Sequence, residues 1–257
     1  MRILITGASS GIGYQVGVML AKRGHLVYMT CRTVREVFCL REKLMRENVS
    51  AICLKLDLLT DDIYLANSLD IDCLFNHAGI GSSGSILTMD EKGIRDVYET
   101  NIFRSFLFLK LVSCHMMKRH IKGKIFVTSS LLSIYPLPFL GVYSSSKSAI
   151  SSFVKALQWE SRVLNCSISF CLVEPGAYFT GFNQVMIDNV EKYQDLNLKF
   201  LSIHNYQRKL FLLLESRDVG KLANKIVKEM EKEKPKKVLR FPLIQGILLK
   251  IYFLLFG

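Results

Sequence analysis

Proline and glycine are scarce, 5 and 16 of 257 residues, and no internal repeat or linker-like tract interrupts the chain. With half of the residues hydrophobic, these shortages exclude collagen-like, low-complexity and disordered classes. The seven cysteines, Cys31, Cys39, Cys53, Cys73, Cys114, Cys166 and Cys171, contain no C-x-x-C pair and have no histidine at metal-ligand spacing. They read as reduced thiols of a cytoplasmic protein, with no metal site. The opening M-R-I-L-I-T-G reaches a glycine too early for the apolar stretch of a secretory signal. The longest apolar block, 243–257, is broken by Gln245 and Lys250, whereas a spanning helix needs roughly 20 apolar residues. A net charge of +12 suits nucleic acid, an anionic membrane face or an anionic cofactor. The lysines near 221–237 are interleaved with Glu229, Glu231 and Glu233, which reads as a solvated helix face and argues against a nucleic-acid partner.

Short β-branched runs alternate with amphipathic stretches of helical length, the pattern of βαβ units around a parallel sheet. Strands are expected at 2–6, 25–30, 51–56, 71–75, 124–128, 167–173 and 238–241. Helices are expected at 12–23, 35–48, 90–119, 143–163 and 218–233, with a short one between the third and fourth strands. The fold class is therefore α/β, a single doubly wound Rossmann-type domain over 1–257 with about seven strands. Residues 177–215 break the rhythm and read as a substrate lid, and 242–257 reads as a last apolar helix.

Three motifs carry chemistry. The first strand runs into T-G-A-S-S-G-I-G, where Gly7, Gly11 and Gly13 let backbone N–H groups approach a pyrophosphate at a helix N-terminus. Ser9, Ser10 and Ile12 lie within that cradle. Alone, the run could also be a structural turn. Tyr143 and Lys147 stand at i, i+4 on one helix, which couples a phenol to an ammonium able to stabilise the phenolate. Ser130 closes the fifth strand, at the carboxyl edge where parallel sheets bind ligands.

In this order, the glycine run, Ser130 and Tyr143-x-x-x-Lys147 resemble the short-chain dehydrogenase/reductase family over nearly the whole chain. Asn76-His77-Ala78-Gly79 resembles its N-N-A-G, Asn101 its helix asparagine, and Pro175-Gly176 with Thr180 its P-G-x-x-x-T. His77 departs from the pattern and is expected either to tie the central strands together through its ring nitrogens or to loosen that spot. The segments around 26–33, 77–84 and 116–130 look most like the branch with 17β-hydroxysteroid and retinol dehydrogenases and their bacterial relatives.

The resemblance implies Tyr143 as general acid, Ser130 as hydrogen-bond partner of the substrate carbonyl, and Lys147 on the nicotinamide ribose while it depresses the tyrosine pKa. Asn101 would hold a water of a proton relay. Asp57, with Leu58 beside it, matches the adenine contact; its other reading is a loop cap.

No acid ends the second strand, where Arg32 can pair with a 2′-phosphate, so NADP(H) is expected over NAD(H). Leu131, Leu132, Tyr135, Leu137, Phe139, Val142, Ala177, Phe179 and Phe182 suggest a pocket for a small lipophilic carbonyl or alcohol such as a steroid, retinoid or acyl-type ketone. The alternative is a catalytically weak NADP-binding regulatory or structural member of the fold. Homodimers or homotetramers are expected. The last helix is expected to cover apolar surface outside the nucleotide fold, on the lid or a second subunit, with peripheral attachment to a membrane surface kept open by Lys236, Lys237, Arg240 and Lys250.

Overall fold

The computed structural model describes residues 1–61, 63–188, 209 and 215–256. Most of the expected lid, 189–208 and 210–214, lies outside the described residues. The elements follow in the order β1 (Arg2–Ile5), α1 (Gly11–Lys22), β2 (Leu26–Cys31), α2 (Val34–Arg46), β3 (Ile52–Lys55), β4 (Cys73–Asn76) and α3 (Glu91–Tyr98). Then come α4 (Ser105–Lys118), β5 (Lys124–Thr128), α5 (Gly141–Val163), β6 (Ser169–Pro175), α6 (Phe182–Asp188), α7 (Val219–Glu231), β7 (Val238–Phe241) and α8 (Leu243–Phe256). The seven strands form one sheet in the order β3-β2-β1-β4-β5-β6-β7, and every pairing is parallel. Chain order reverses between β1 and β4, which opens a crevice at their carboxyl ends.

Parallel strands are buried on both faces, and alternation of side chains sorts β1 accordingly. Ile3 and Ile5 join Val16 and Leu20 of α1 and Ile226 and Met230 of α7 in one core layer. Leu4 points the other way, into a layer with Phe108 and Val112 of α4 and Ile150 and Val154 of α5. Each fully buried apolar side chain contributes about 1.5–3 kcal/mol. The two layers clamp the carboxyl edge of the sheet in a fixed frame.

Three expectations need correction. The helix at 90–119 is broken by a π-helical turn, Glu99–Arg104, which swings Asn101 inward to bond across to the β4 loop and α5. β6 runs on to Pro175, because Glu174 and Pro175 still pair with Arg240 and Phe241 of β7. A proline that ends a strand gives up only one ladder donor.

The last helix is the third. Ile244 and Leu254 are 71% and 74% exposed, and Leu243, Ile247, Leu248 and Ile251 are exposed too. Gln245 is buried. Most of the lid expected to cover the apolar side of α8 lies outside the described residues; within them α8 lies against the crevice. Of its expected basic flank, Lys250 lies on α8 itself and is exposed. Lys236 and Lys237 precede β7 and α8 follows it, so a strand of about 3.3 Å per residue separates them. Arg240 is engaged by the buried carboxylate of Glu174. No helix among the described residues is long and apolar enough to cross a membrane.

Candidate active site

The glycine-rich turn is built by close approach. Gly7 and Gly11 have φ of +68° and +58°, the left-handed region that suits glycine. A Cβ on Gly7 would come within 2.9 Å of Ala78 Cα, and one on Gly11 within 2.9 Å of Thr180 Cβ. The turn thus touches the segments after β4 and after β6, so three motifs far apart in sequence meet. Ser10, at the N-cap of α1, makes no side-chain cap bond, and the first turn of α1 carries no acid. An uncapped helix N-terminus without competing carboxylates suits a pyrophosphate. Gly13 and Asn76 do not line the cavity. Gly13 lets α1 sit against Gly7 and His77, and Asn76 donates to Ser105 O and Oγ at 3.1 and 3.0 Å.

Thr6 organises the β4 loop: its Oγ1 accepts the N–H groups of His77 and Ala78 at 2.9 and 3.0 Å and donates to Asn76 Oδ1. His77 Nδ1 lies 2.9 Å from Thr128 Oγ1, a link between the ends of β4 and β5. That is the tie expected of the departure from N-N-A-G. Burial, and next the charge of Lys147, pull the imidazole down to about 3, so it is neutral at physiological pH.

Ser130, Tyr143 and Lys147 converge at the carboxyl edge of β5, all buried. Tyr143 borders Ser130, whose hydroxyl accepts the Leu132 N–H at 3.1 Å. Lys147 Nζ donates to Thr128 O at 3.1 Å and sits 5.8 Å from the Tyr143 ring centroid. The expected depression of the tyrosine is not seen. Burial pushes the phenol up to about 12 against a lowering by Ser130, and burial brings Lys147 down to about 8. With Lys147 turned to the Thr128 carbonyl, the phenol holds its proton firmly.

The Asn101 side chain is held by protein groups. Its Nδ2 donates to Ile80 O and Ser146 Oγ at 2.9 and 3.0 Å, and its Oδ1 accepts the Ile80 N–H at 2.8 Å. Thr100 lines the cavity and Asn101 does not. Asn101 is a positioning residue that fastens the β4 loop to α5.

One continuous cavity of about 620 Å³ runs from the glycine turn past Tyr143. At its far dinucleotide end stand Arg32, Asp57 and Leu58, together with Glu36. Sequence reasoning missed Glu36. Its Oε2 accepts the N–H groups of Arg32 and Thr33 at 2.9 and 3.2 Å, and its Oε1 lies 3.9 Å from the Arg32 guanidinium. An acid therefore does attend Arg32, contrary to the reading of the strand end alone. The signal was present as T-x-x-E, the capping box that starts α2. Asp57 Oδ1 accepts the Leu59 N–H at 3.0 Å, so Asp57 caps its loop and also lines the cavity.

Pro175, Gly176 and Thr180 line the other side, where Gln245 reaches in from α8. Its Oε1 accepts the Ala177 N–H at 2.7 Å and its Nε2 donates to Ala177 O at 3.1 Å. Of the expected pocket residues, Leu131, Leu132, Leu137, Ala177 and Phe182 line the cavity. Tyr135, Val142 and Phe179 do not, and Phe139 lines a neighbouring one. Met186 of α6 was not foreseen, nor were Leu248, Leu249 and Tyr252, since the last helix was expected to lie elsewhere.

A parallel doubly wound sheet, a glycine-rich cradle at its switch point and a Ser-Tyr-Lys cluster beside it define a dinucleotide-binding oxidoreductase. The short chain dehydrogenase family profile matches residues 1–191, and the chain belongs to the short-chain dehydrogenase/reductase family. It is 31% identical to a 3-ketodihydrosphingosine reductase of Bacteroides thetaiotaomicron over 78% of this chain and 74% of that protein. It is also 31% identical to human retinol dehydrogenase 8, over 82% of this chain and 69% of that protein. A short chain dehydrogenase/reductase from Burkholderia phymatum, solved in complex with NAD, superposes with a TM-score of 0.80 at 17% identity, covering 97% and 92% of the two chains. That likeness shows the fold.

Proposed function

We propose that the protein reduces a lipophilic ketone to a secondary alcohol, or the reverse, with NADP(H). The convergence of Ser130, Tyr143 and Lys147 on the dinucleotide crevice carries this reading. Gly7, Ser9, Ser10, Gly11 and Ile12 would hold the pyrophosphate, Asp57 and Leu58 the adenine end, and Ala78, Gly79, Lys147, Pro175, Gly176 and Thr180 the nicotinamide half. When bound, the dinucleotide supplies a hydride, two electrons, to the carbonyl carbon. Tyr143 Oη donates its proton to the carbonyl oxygen, and Ser130 orients that oxygen by a hydrogen bond. With its pKa near 12, Tyr143 is protonated at neutral pH, the state that reduction requires.

Preference for NADP(H) rests on Arg32, whose side chain is 65% exposed and free to turn toward a 2′-phosphate despite Glu36. A lipophilic substrate fits the apolar lining supplied by Leu132, Leu137, Phe182, Met186 and Leu249. Exposed Phe103, Leu107 and Phe153, on the π turn, α4 and α5, offer a face to a second copy of the chain. The test is consumption of NADPH and NADH, followed by absorbance, over ketosteroids, retinal, 3-ketoacyl compounds and aryl ketones. Oxidation of NADPH with at least one lipophilic carbonyl is the expected result; cofactor binding without turnover across the panel would contradict it.

A further inference from the structure

The cavity at Tyr143 has a second one directly beside it. Leu137 and Pro138, between β5 and α5, and Tyr252 of α8 line its outer end, and the same three residues line a neighbouring cavity of about 330 Å³. Ile86, Phe139 and Phe253 continue that neighbour outward. Among the described residues, the charged side chains that line the main cavity are Arg32, Glu36 and Asp57 at its dinucleotide end and Lys147 in the catalytic cluster. Both the outer end and the second cavity are walled by apolar groups and aromatic faces. Ile86 and Phe253 are 60% and 40% exposed, so the second cavity is a groove that reaches the surface.

We propose that this groove is a tail subsite for an unbranched alkyl chain. The substrate carbonyl lies at Tyr143, and the chain passes Leu137, Pro138 and Tyr252 to rest between Ile86 and Phe253. The three side chains shared by the two chambers would form the neck between them, which a methylene chain threads and a fused ring system fills poorly. Among the described residues no charged side chain lines the second cavity to pair with a charged tail end, whereas each methylene would find apolar surface. The inference deepens the reductase reading and rests on it for the position of the carbonyl.

The test is titration calorimetry of a series from 2-hexanone to 2-dodecanone against the protein saturated with oxidised NADP⁺, a complex that cannot turn over. Affinity should rise by about threefold to fourfold per methylene as the chain extends, the gain for burying a CH₂. Ile86→Trp, at an exposed loop position away from the catalytic cluster, should plug the groove: 2-hexanone binds as before, and the rise stops once the chain reaches the neck. Tyr252→Ala, on a different element, should flatten the same rise by removing the shared wall. A chain-length series unchanged in both variants, or one that never rises beyond 2-hexanone, would overturn the subsite. NADPH oxidation with the same ketones separates the two claims. Ile86-dependent binding of long chains without oxidation keeps the groove and refutes the reductase reading.

Discussion

Arg32 and Glu36 show how a single side chain changes what a sequence appears to say. Arg32 was legible as a phosphate partner because no acid ends β2. The acid that matters arrives four residues later, folded back by the capping box to lie 3.9 Å from the guanidinium. A 2′-phosphate must compete with that carboxylate for Arg32. Arg32→Ala is expected to weaken NADPH binding by about tenfold to a hundredfold, the range for a charge-assisted contact, and to leave NADH unchanged. Glu36→Gln should strengthen NADPH binding, since the amide can still accept the two backbone N–H groups without the charge. Fluorescence titration of both cofactors checks the pair; equal losses for NADPH and NADH in Arg32→Ala would make it a surface charge.

His77 belongs to the same scale. The folded imidazole has its pKa lowered from 6.5 to about 3, mainly by burial. Below about pH 6.5 the unfolded chain therefore binds a proton that the folded chain refuses, and stability falls by up to about 1.4 kcal/mol per pH unit until about pH 3. Above pH 6.5 both states are neutral and the effect vanishes. His77→Asn, which restores the family's usual asparagine, should leave urea midpoints at pH 7.5 nearly alone and flatten their decline toward pH 4.5. A parallel decline in both proteins would mean that His77 is not the acid-sensitive group.

At the scale of elements, the βα rhythm was legible because periodicity reports burial, and burial alone fixes these strands and helices. The irregular pieces were not. The π turn at Glu99–Arg104 leaves the helical period of its flanks intact, and Asn101's three bonds to Ile80 and Ser146 become visible only in space. The last helix was found with nearly the right bounds, but its position was misread. Gln245 looked like an interruption of an apolar block; it is instead the clasp that fastens α8 to Ala177. Gln245→Ala leaves the Ala177 N–H without that partner, at a cost of about 1–3 kcal/mol, while the Ala177 carbonyl still accepts the Ser216 N–H at 3.0 Å. Faster proteolytic cleavage between β7 and α8, with the remainder of the chain protected, is the expected result. Unchanged cleavage would show that α8 is held by other contacts.

For the whole molecule, the family and its site were legible because the chemistry uses residues whose spacing survives in the sequence: the glycine turn, Ser130, and the i, i+4 pair. Their electrostatics were not, because desolvation depends on everything packed around them. The phenol at about 12 and the ammonium at about 8 follow from burial between two core layers, which no local pattern records. The proposed chemistry rests on Tyr143 as the proton donor in a fold expected to bind the dinucleotide independently of it. The most direct measurement compares Tyr143→Phe with the unaltered protein, pairing kcat for the best ketone of the panel with the dissociation constant for NADPH. Acid-base groups contribute roughly 100-fold to 10,000-fold, so kcat should fall by at least about 100-fold while NADPH affinity stays within about twofold. A variant that keeps more than about a tenth of the original kcat would contradict the assignment.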